Sequence, residues 1–77
     1  MIKLLDTVVL TRDIPHADLR RGDLGAVVEV YAVDAFEVEF VAASGRTQAL
    51  VALTSDDLRP VDDNDLVSVR PLKSAAA

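Results

Sequence analysis

The middle of the chain alternates apolar and charged positions. Phe36, Val38 and Phe40 are separated by Glu37 and Glu39, and a two-residue period is that of a β-strand with one buried face. This segment is therefore predicted to be a strand with both phenylalanines and the valine in a core, and both glutamates in solvent.

Four other short segments are rich in β-branched residues and predict further strands, at residues 6–12, 24–31, 47–53 and 58–61. In the second of these, Glu29 has to be solvated, so the period places Ala26, Val28 and Val30 on the core face. Pro60 in the last segment is typical of an edge strand, because proline has no N–H to donate to a neighbour.

Glycines mark the predicted turns. Gly22 is interpreted as the positive-φ position of a tight turn, in which Asp23 accepts backbone N–H groups. Gly25 indicates a bulge or a close approach of two backbones. Residues 42–45 predict a hairpin turn with Gly45 at positive φ.

The segment 49–53 is apolar without interruption, so both faces of its strand are expected to be covered. Three interpretations remain open: the chain's own termini cover the outer face, the segment is a subunit interface, or it forms a short helix. Residues 54–58 predict a single 3₁₀ turn with Thr54 or Ser55 as its cap.

These elements together predict an all-β fold, a small five-stranded SH3-like barrel that is partly open, over residues 2–61. Residues 62–72 are predicted to be a linker followed by an extra strand at residues 66–70. Residues 73–77 are predicted to be a disordered tail.

Composition narrows the classes of function. The net charge of −5, from 13 acidic and 8 basic residues, argues against sequence-independent binding to phosphate backbones. The absence of cysteine excludes disulfides and thiolate metal sites. No apolar run is long enough to span a membrane and no signal peptide is recognisable, so a cytoplasmic protein without membrane contact is expected.

No catalytic, cofactor-binding or metal-binding residue is predicted. His16 lies among charged loop residues and is interpreted as an exposed histidine. Five aspartates lie in the last third of the chain, but their spacing does not match a calcium-binding loop, so they predict a solvated acidic surface; they are Asp56, Asp57, Asp62, Asp63 and Asp65. The protein is therefore not expected to be an enzyme.

Two functional hypotheses of different classes follow. The first is a non-catalytic interaction module that forms a homo-oligomer, a dimer or higher, or binds a protein partner. Its interface residues would be Ala49, Val51, Leu53, Leu66, Val67 and Val69. The second is a nucleic-acid-binding barrel, which would use Arg12, Arg20, Arg21, Tyr31 and Arg46.

The series of motifs at residues 6–10, 19–31, 36–40 and 57–60 resembles a widespread family of small bacterial proteins known only as a domain of unknown function. The segment from the glycine turn into its strand is also similar to the SH3-like barrels of the nitrile hydratase β-subunit group and, more distantly, to KOW segments. The resemblance implies a bacterial, cytosolic setting, often on accessory or mobile genes, but no catalytic residue. The nitrile hydratase similarity adds a third hypothesis, an accessory role for a metalloenzyme.

Overall fold

Five antiparallel strands form one open sheet in the computed structural model, which describes residues 1–72. The strands are β1 (Thr7–Leu10), β2 (Leu24–Ala32), β3 (Ala35–Val41), β4 (Thr47–Leu53) and β5 (Leu58–Pro60). Their order across the sheet is β4-β3-β2-β1-β5. The predicted five-stranded, partly open all-β fold is confirmed, and the predicted tail at 73–77 lies outside the described residues.

The core is built around β3, as the alternation predicts. Phe36, Val38 and Phe40 are 2%, 0% and 3% exposed, because the pleat of the strand turns every second side chain to the same face. The chain from β1 to β2 adds Ile14 and Leu19, which meet in an isolated bridge. The buried cluster consists of Val8, Leu10, Ile14, Leu19, Val27, Phe36, Val38, Phe40, Leu53 and Leu58.

The predicted inner face of β2 is wrong for the residues before Glu29. Val27 is fully buried, whereas Ala26 and Val28 are only partly buried. Val30 lies opposite Phe36 and keeps the predicted face, although it is 40% exposed. The register explains this, because Val27 pairs with Val38 and Glu29 with the next residue of β3, Glu37. Val28 is therefore an extra residue, a bulge that reverses the alternation in the middle of the strand.

Gly25 also faces the core. A Cβ there would lie 2.6 Å from Cγ1 of Val38 and 2.8 Å from Cε2 of Phe40. The close approach is therefore made by two core side chains, not by a second backbone. Gly25 and Val27 continue the inner row of β2 up to the bulge.

The 3₁₀ segment lies elsewhere than predicted. It spans Pro15–Ala17, where proline at the first position fixes a suitable φ and has no N–H left unpaired. Residues 54–58, for which the 3₁₀ turn was predicted, form a hydrogen-bonded turn in which the N–H of Asp57 donates to the carbonyl of Thr54 (3.0 Å). The Asp57 carboxylate accepts the Thr54 N–H (3.0 Å), and the Thr54 hydroxyl accepts the Asp56 N–H (3.3 Å), as a residue that caps the turn does.

The predicted strand at residues 66–70 does not form. The N–H of Val61 donates to the carbonyl of Thr7 (3.3 Å), and in residues 1–72 no backbone hydrogen bond joins the chain beyond it to the sheet. Asp65 accepts the N–H of Asp62 (2.7 Å) and two hydrogen bonds from Arg59 (2.8 and 2.9 Å). After this turn the chain up to residue 72 pairs with no strand, so the alternation of Val67 and Val69 does not produce one.

Candidate functional site

The two edges of the sheet are built differently. β5 has three residues, including Arg59 and Pro60, and short length, charge and proline are the features that protect an edge from pairing with another chain. β4 has seven residues, TQALVAL, with no charge and no proline. A register shift at Gln48 disturbs only its first part. We refer to residues 49–53 as the β4 edge.

The side chains of β4 divide between two faces. Leu53 is 5% exposed and belongs to the core, and Ala49 and Val51 are partly buried against it. Leu50 is 57% exposed and Ala52 is also exposed. The predicted interface residues of this strand thus point inward, and its surface consists of Leu50, Ala52 and the backbone of the β4 edge.

Three carboxylates lie on the outer face of the sheet beside that edge. Glu29 is directly opposite Glu37 in the register, and Glu39 pairs across to Leu50. Like charges that face each other across two strands are destabilising. We call Glu29, Glu37 and Glu39 the acidic face.

Among the described residues, the groups that donate hydrogen bonds to the acidic face are neutral. The hydroxyl of Tyr31 donates to Glu37 (3.0 Å) and that of Thr47 to Glu39 (2.6 Å). In residues 1–72 none of the three carboxylates forms an ion pair. The hydrogen bond to Glu37 raises the pKa of Tyr31, and the negative charges of Glu37 and Glu29 act in the same direction.

The glycine turn is joined to the C-terminal segment. Gly22 has φ of +96°, and the Asp23 carboxylate accepts the Arg20 N–H (2.8 Å). Arg70 reaches the same carboxylate with Nε (2.9 Å) and Nη2 (2.6 Å), and Nη2 also donates to the carbonyl of Asp18 (2.9 Å). This bidentate contact, the Arg70 clamp, secures the end of the described chain to the turn.

The Arg70 clamp borders a cavity of about 570 Å³. Burial opposes ionisation of Asp23, but the hydrogen bonds from Arg70 and Arg20 outweigh it and lower its pKa. The cavity lies between the glycine turn, the ends of β3 and β4, and the C-terminal segment; its lining includes Arg21, Phe40, Gln48 and Val67. Because Asp23 and Arg70 neutralise each other, no unpaired charge of this clamp faces the cavity.

The C-terminal residues predicted for an interface are exposed. Leu66, Val67 and Val69 are 95%, 72% and 96% exposed. They lie between the turn that Asp65 makes with Arg59 and the Arg70 clamp. Their pairing with a neighbouring chain stays a prediction.

The residues predicted for nucleic-acid contact do not form one patch. Arg12 forms an ion pair with Asp57 (Nε to Oδ1, 2.6 Å). Arg20 and Arg21 precede β2, and Arg46, in the β3–β4 turn with Gly45 (φ +92°), lies at the same end of the sheet. Tyr31 is near the opposite end of β2 with its hydroxyl on Glu37. The structure thus places the exposed aromatic among carboxylates and not among arginines.

An acid-sensitive ion pair supports the chain after β5. Hydrogen bonds from Arg59, together with the Asp62 N–H, lower the pKa of Asp65 from 3.8 to about 2. Because the folded-state pKa is the lower one, the pair stabilises the fold fully above about pH 4 and loses this effect as the pH falls toward 2.

We therefore expect the urea midpoint of the wild type to fall through this pH range more steeply than that of Asp65→Asn. Asp63→Asn, at an exposed neighbouring position, is the control and should keep the wild-type slope. Equal slopes in the wild type and Asp65→Asn would show that the pair does not contribute to stability.

Residues 1–72 contain no group of three or more His, Asp or Glu side chains placed to hold a metal ion. They also contain no helix of the length and apolarity that crossing a membrane requires. The described acidic residues of the last third instead occupy turns, as Asp57 and Asp65 do.

The sequence model of one protein family matches residues 4–60, well over half of the chain, and its description is Domain of unknown function (DUF4926). No curated protein matches the chain, and no solved structure does. The similarities to the nitrile hydratase group and to KOW segments therefore stay predictions. The match covers all five strands but ends before the Asp65 turn and the Arg70 clamp. The chain belongs to the DUF4926 family, and its C-terminal segment lies outside the part that defines the family.

Proposed function

We propose that this chain is a non-catalytic interaction module that binds a second polypeptide as an added strand along the β4 edge. The observation that carries the proposal is the contrast between the two sheet edges. Natural sheets protect their edges with charge, proline or shortness. β5 has all three features and β4 has none of them.

Strand addition suits the groups that β4 presents. In residues 1–72, β4 pairs only with β3, so alternate N–H and C=O groups of the β4 edge point away from the sheet. An extended segment that pairs with them gains backbone hydrogen bonds, and its inward side chains continue the row formed by Ala49, Val51 and Leu53. The three predicted interface residues of β4 would thus contact the partner through their backbone and through their inward side chains.

The test is binding of a seven-residue capped peptide of alternating valine and threonine, the length of β4. Ala52→Lys places a long charged side chain at the edge, opposite Glu37, where a cross-strand ion pair maintains the fold while the edge becomes protected. We expect the wild type to bind the peptide and Ala52→Lys to lose at least about tenfold in affinity, because blocked pairing removes several backbone hydrogen bonds of about 1 kcal/mol each.

The matched control is Asn64→Lys. It adds the same charge at an exposed position in the turn after β5, which is the opposite edge of the sheet, and should bind as the wild type does. Titration calorimetry measures both variants. Equal binding by Ala52→Lys and the wild type, or no binding by the wild type, would contradict the proposal.

A further inference from the structure

The outer surface beside the β4 edge is negatively charged, and this charge indicates which kind of strand can bind to the edge. A strand added to β4 has two rows of side chains, one toward the core side and one toward the outer face. The outer row first meets Leu50 and Ala52, and behind them lie Glu39 and Glu37 in register. Behind the two outward side chains of the β4 edge, the sheet therefore presents two carboxylates.

Distances in a sheet allow a cationic side chain to reach these carboxylates. Neighbouring strands lie about 4.8 Å apart, so an added strand would be about 10 Å from β3. A lysine or arginine on the added strand and a glutamate on β3 would lie on the same face of the sheet, and their long side chains can meet above β4. Ala52, opposite Glu37, has only a methyl group, so the space above it is open to a long side chain.

Within residues 1–72 the acidic face has no cationic partner. Glu29 and Glu37 repel each other across two strands, and no cation in residues 1–72 pairs with any of the three carboxylates. A cationic strand would relieve this repulsion. A second copy of this chain would not, since pairing two β4 edges brings two acidic faces together on chains that each carry a net charge of −5.

We propose that the β4 edge is specific for an extended cationic segment of a partner protein, with apolar residues toward the core side and lysine or arginine toward the acidic face. This inference rests on the proposed function and specifies its partner class. A strand that alternates apolar and basic residues would fit, because the inward row of β4 is apolar and its outward row lies beside Glu37 and Glu39.

The experiment compares three capped seven-residue peptides in which valine alternates with lysine, threonine or glutamate. We expect the lysine peptide to bind about tenfold tighter than the threonine peptide at low salt, since two or three exposed ion pairs together contribute a factor of this size. The glutamate peptide should bind weakest. At about 1 M salt, where the Debye length is about 3 Å, the three affinities should converge.

The double variant Glu37→Gln, Glu39→Gln should lose the preference for lysine and still bind the threonine peptide. Asp63→Asn is the charge control, at an exposed acidic position outside the acidic face, and should keep the preference. Equal affinities of the lysine and threonine peptides for the wild type would overturn this inference and leave the proposed function intact. Failure of all three peptides would overturn both.

Sedimentation of the wild type without peptide completes the test. We expect a monomer at low ionic strength. A dimer under those conditions that Ala52→Lys converts to a monomer would identify a second copy as the occupant and overturn the cationic assignment.

Discussion

Phe36→Ala should unfold most of the protein at room temperature. Phe36 is 2% exposed and lies opposite Leu53 in the β3–β4 register, so its removal leaves a cavity in the middle of the core. Truncation of a buried phenylalanine costs about 3–5 kcal/mol. The core of a domain this small supplies about the same amount in total.

Urea denaturation followed by circular dichroism measures this loss. Val33→Ala is the matched control, since Val33 is 90% exposed and its truncation should change stability by less than about 0.5 kcal/mol. Phe36→Leu, which fills part of the space, should have intermediate stability. A native-like transition in Phe36→Ala would show that the phenylalanine is not essential to the core.

Gly25→Ala is expected to have the second-largest effect. The new Cβ would lie 2.6 Å from Cγ1 of Val38 and 2.8 Å from Cε2 of Phe40, closer than real Cβ atoms approach other heavy atoms. Displacing packed core side chains costs about 1–3 kcal/mol. The free energy of unfolding should fall by an amount in this range.

A double-mutant cycle identifies the cause. Val38→Ala removes the atom that the new Cβ would meet first, so Gly25→Ala should cost less in the Val38→Ala background than in the wild type. Gly45→Ala serves as the comparison, because nothing lies within 4 Å of its Cβ position and its cost comes from positive φ. That cost should be the same in both backgrounds. Additivity of Gly25→Ala with Val38→Ala would contradict the packing explanation.

The fold is most predictable from the sequence where polar and apolar residues alternate strictly. β3 alternates as predicted from Phe36 to Phe40, with its apolar residues buried and Glu37 and Glu39 partly exposed. In β2 the same reasoning failed for two physical reasons. Gly25 faces the core but has no side chain and therefore no hydropathy to reveal its direction. The bulge at Val28 is visible only in the pairing with β3, so Glu29 predicted the wrong phase for the residues before it.

The C-terminal segment shows a second reason why alternation alone does not predict a strand. Val67 and Val69 alternate as strand residues do, but a strand also needs a neighbour to pair with. The direction of this segment depends on ion pairs between residues far apart in the sequence, such as Arg70 with Asp23. No local pattern predicts such a pair.

Only part of the candidate site can be predicted from the sequence. The uninterrupted apolar run at 49–53 predicts that both faces of the strand are covered, but Leu50 and Ala52 are exposed on its outer face. Only the sheet order shows that β4 is an edge. The inward direction of Val51 and Leu53, and the acidic face beside Leu50, follow from the cross-strand register. The alternation in β3 predicts that Glu37 and Glu39 are exposed. That they lie close to Glu29 and to the β4 edge can be known only from the order of the strands in the sheet.

Amide hydrogen exchange measured by NMR, with and without the valine–threonine peptide, tests the β4 edge most directly. Strand addition predicts that alternate amides of residues 49–53 exchange at least about tenfold more slowly when the peptide is bound, because new backbone hydrogen bonds cover them. The amides of Leu58 and Arg59 on the protected edge should not change. Slower exchange at β5 or around the cavity, with none along β4, would contradict the proposal that the β4 edge accepts a partner strand.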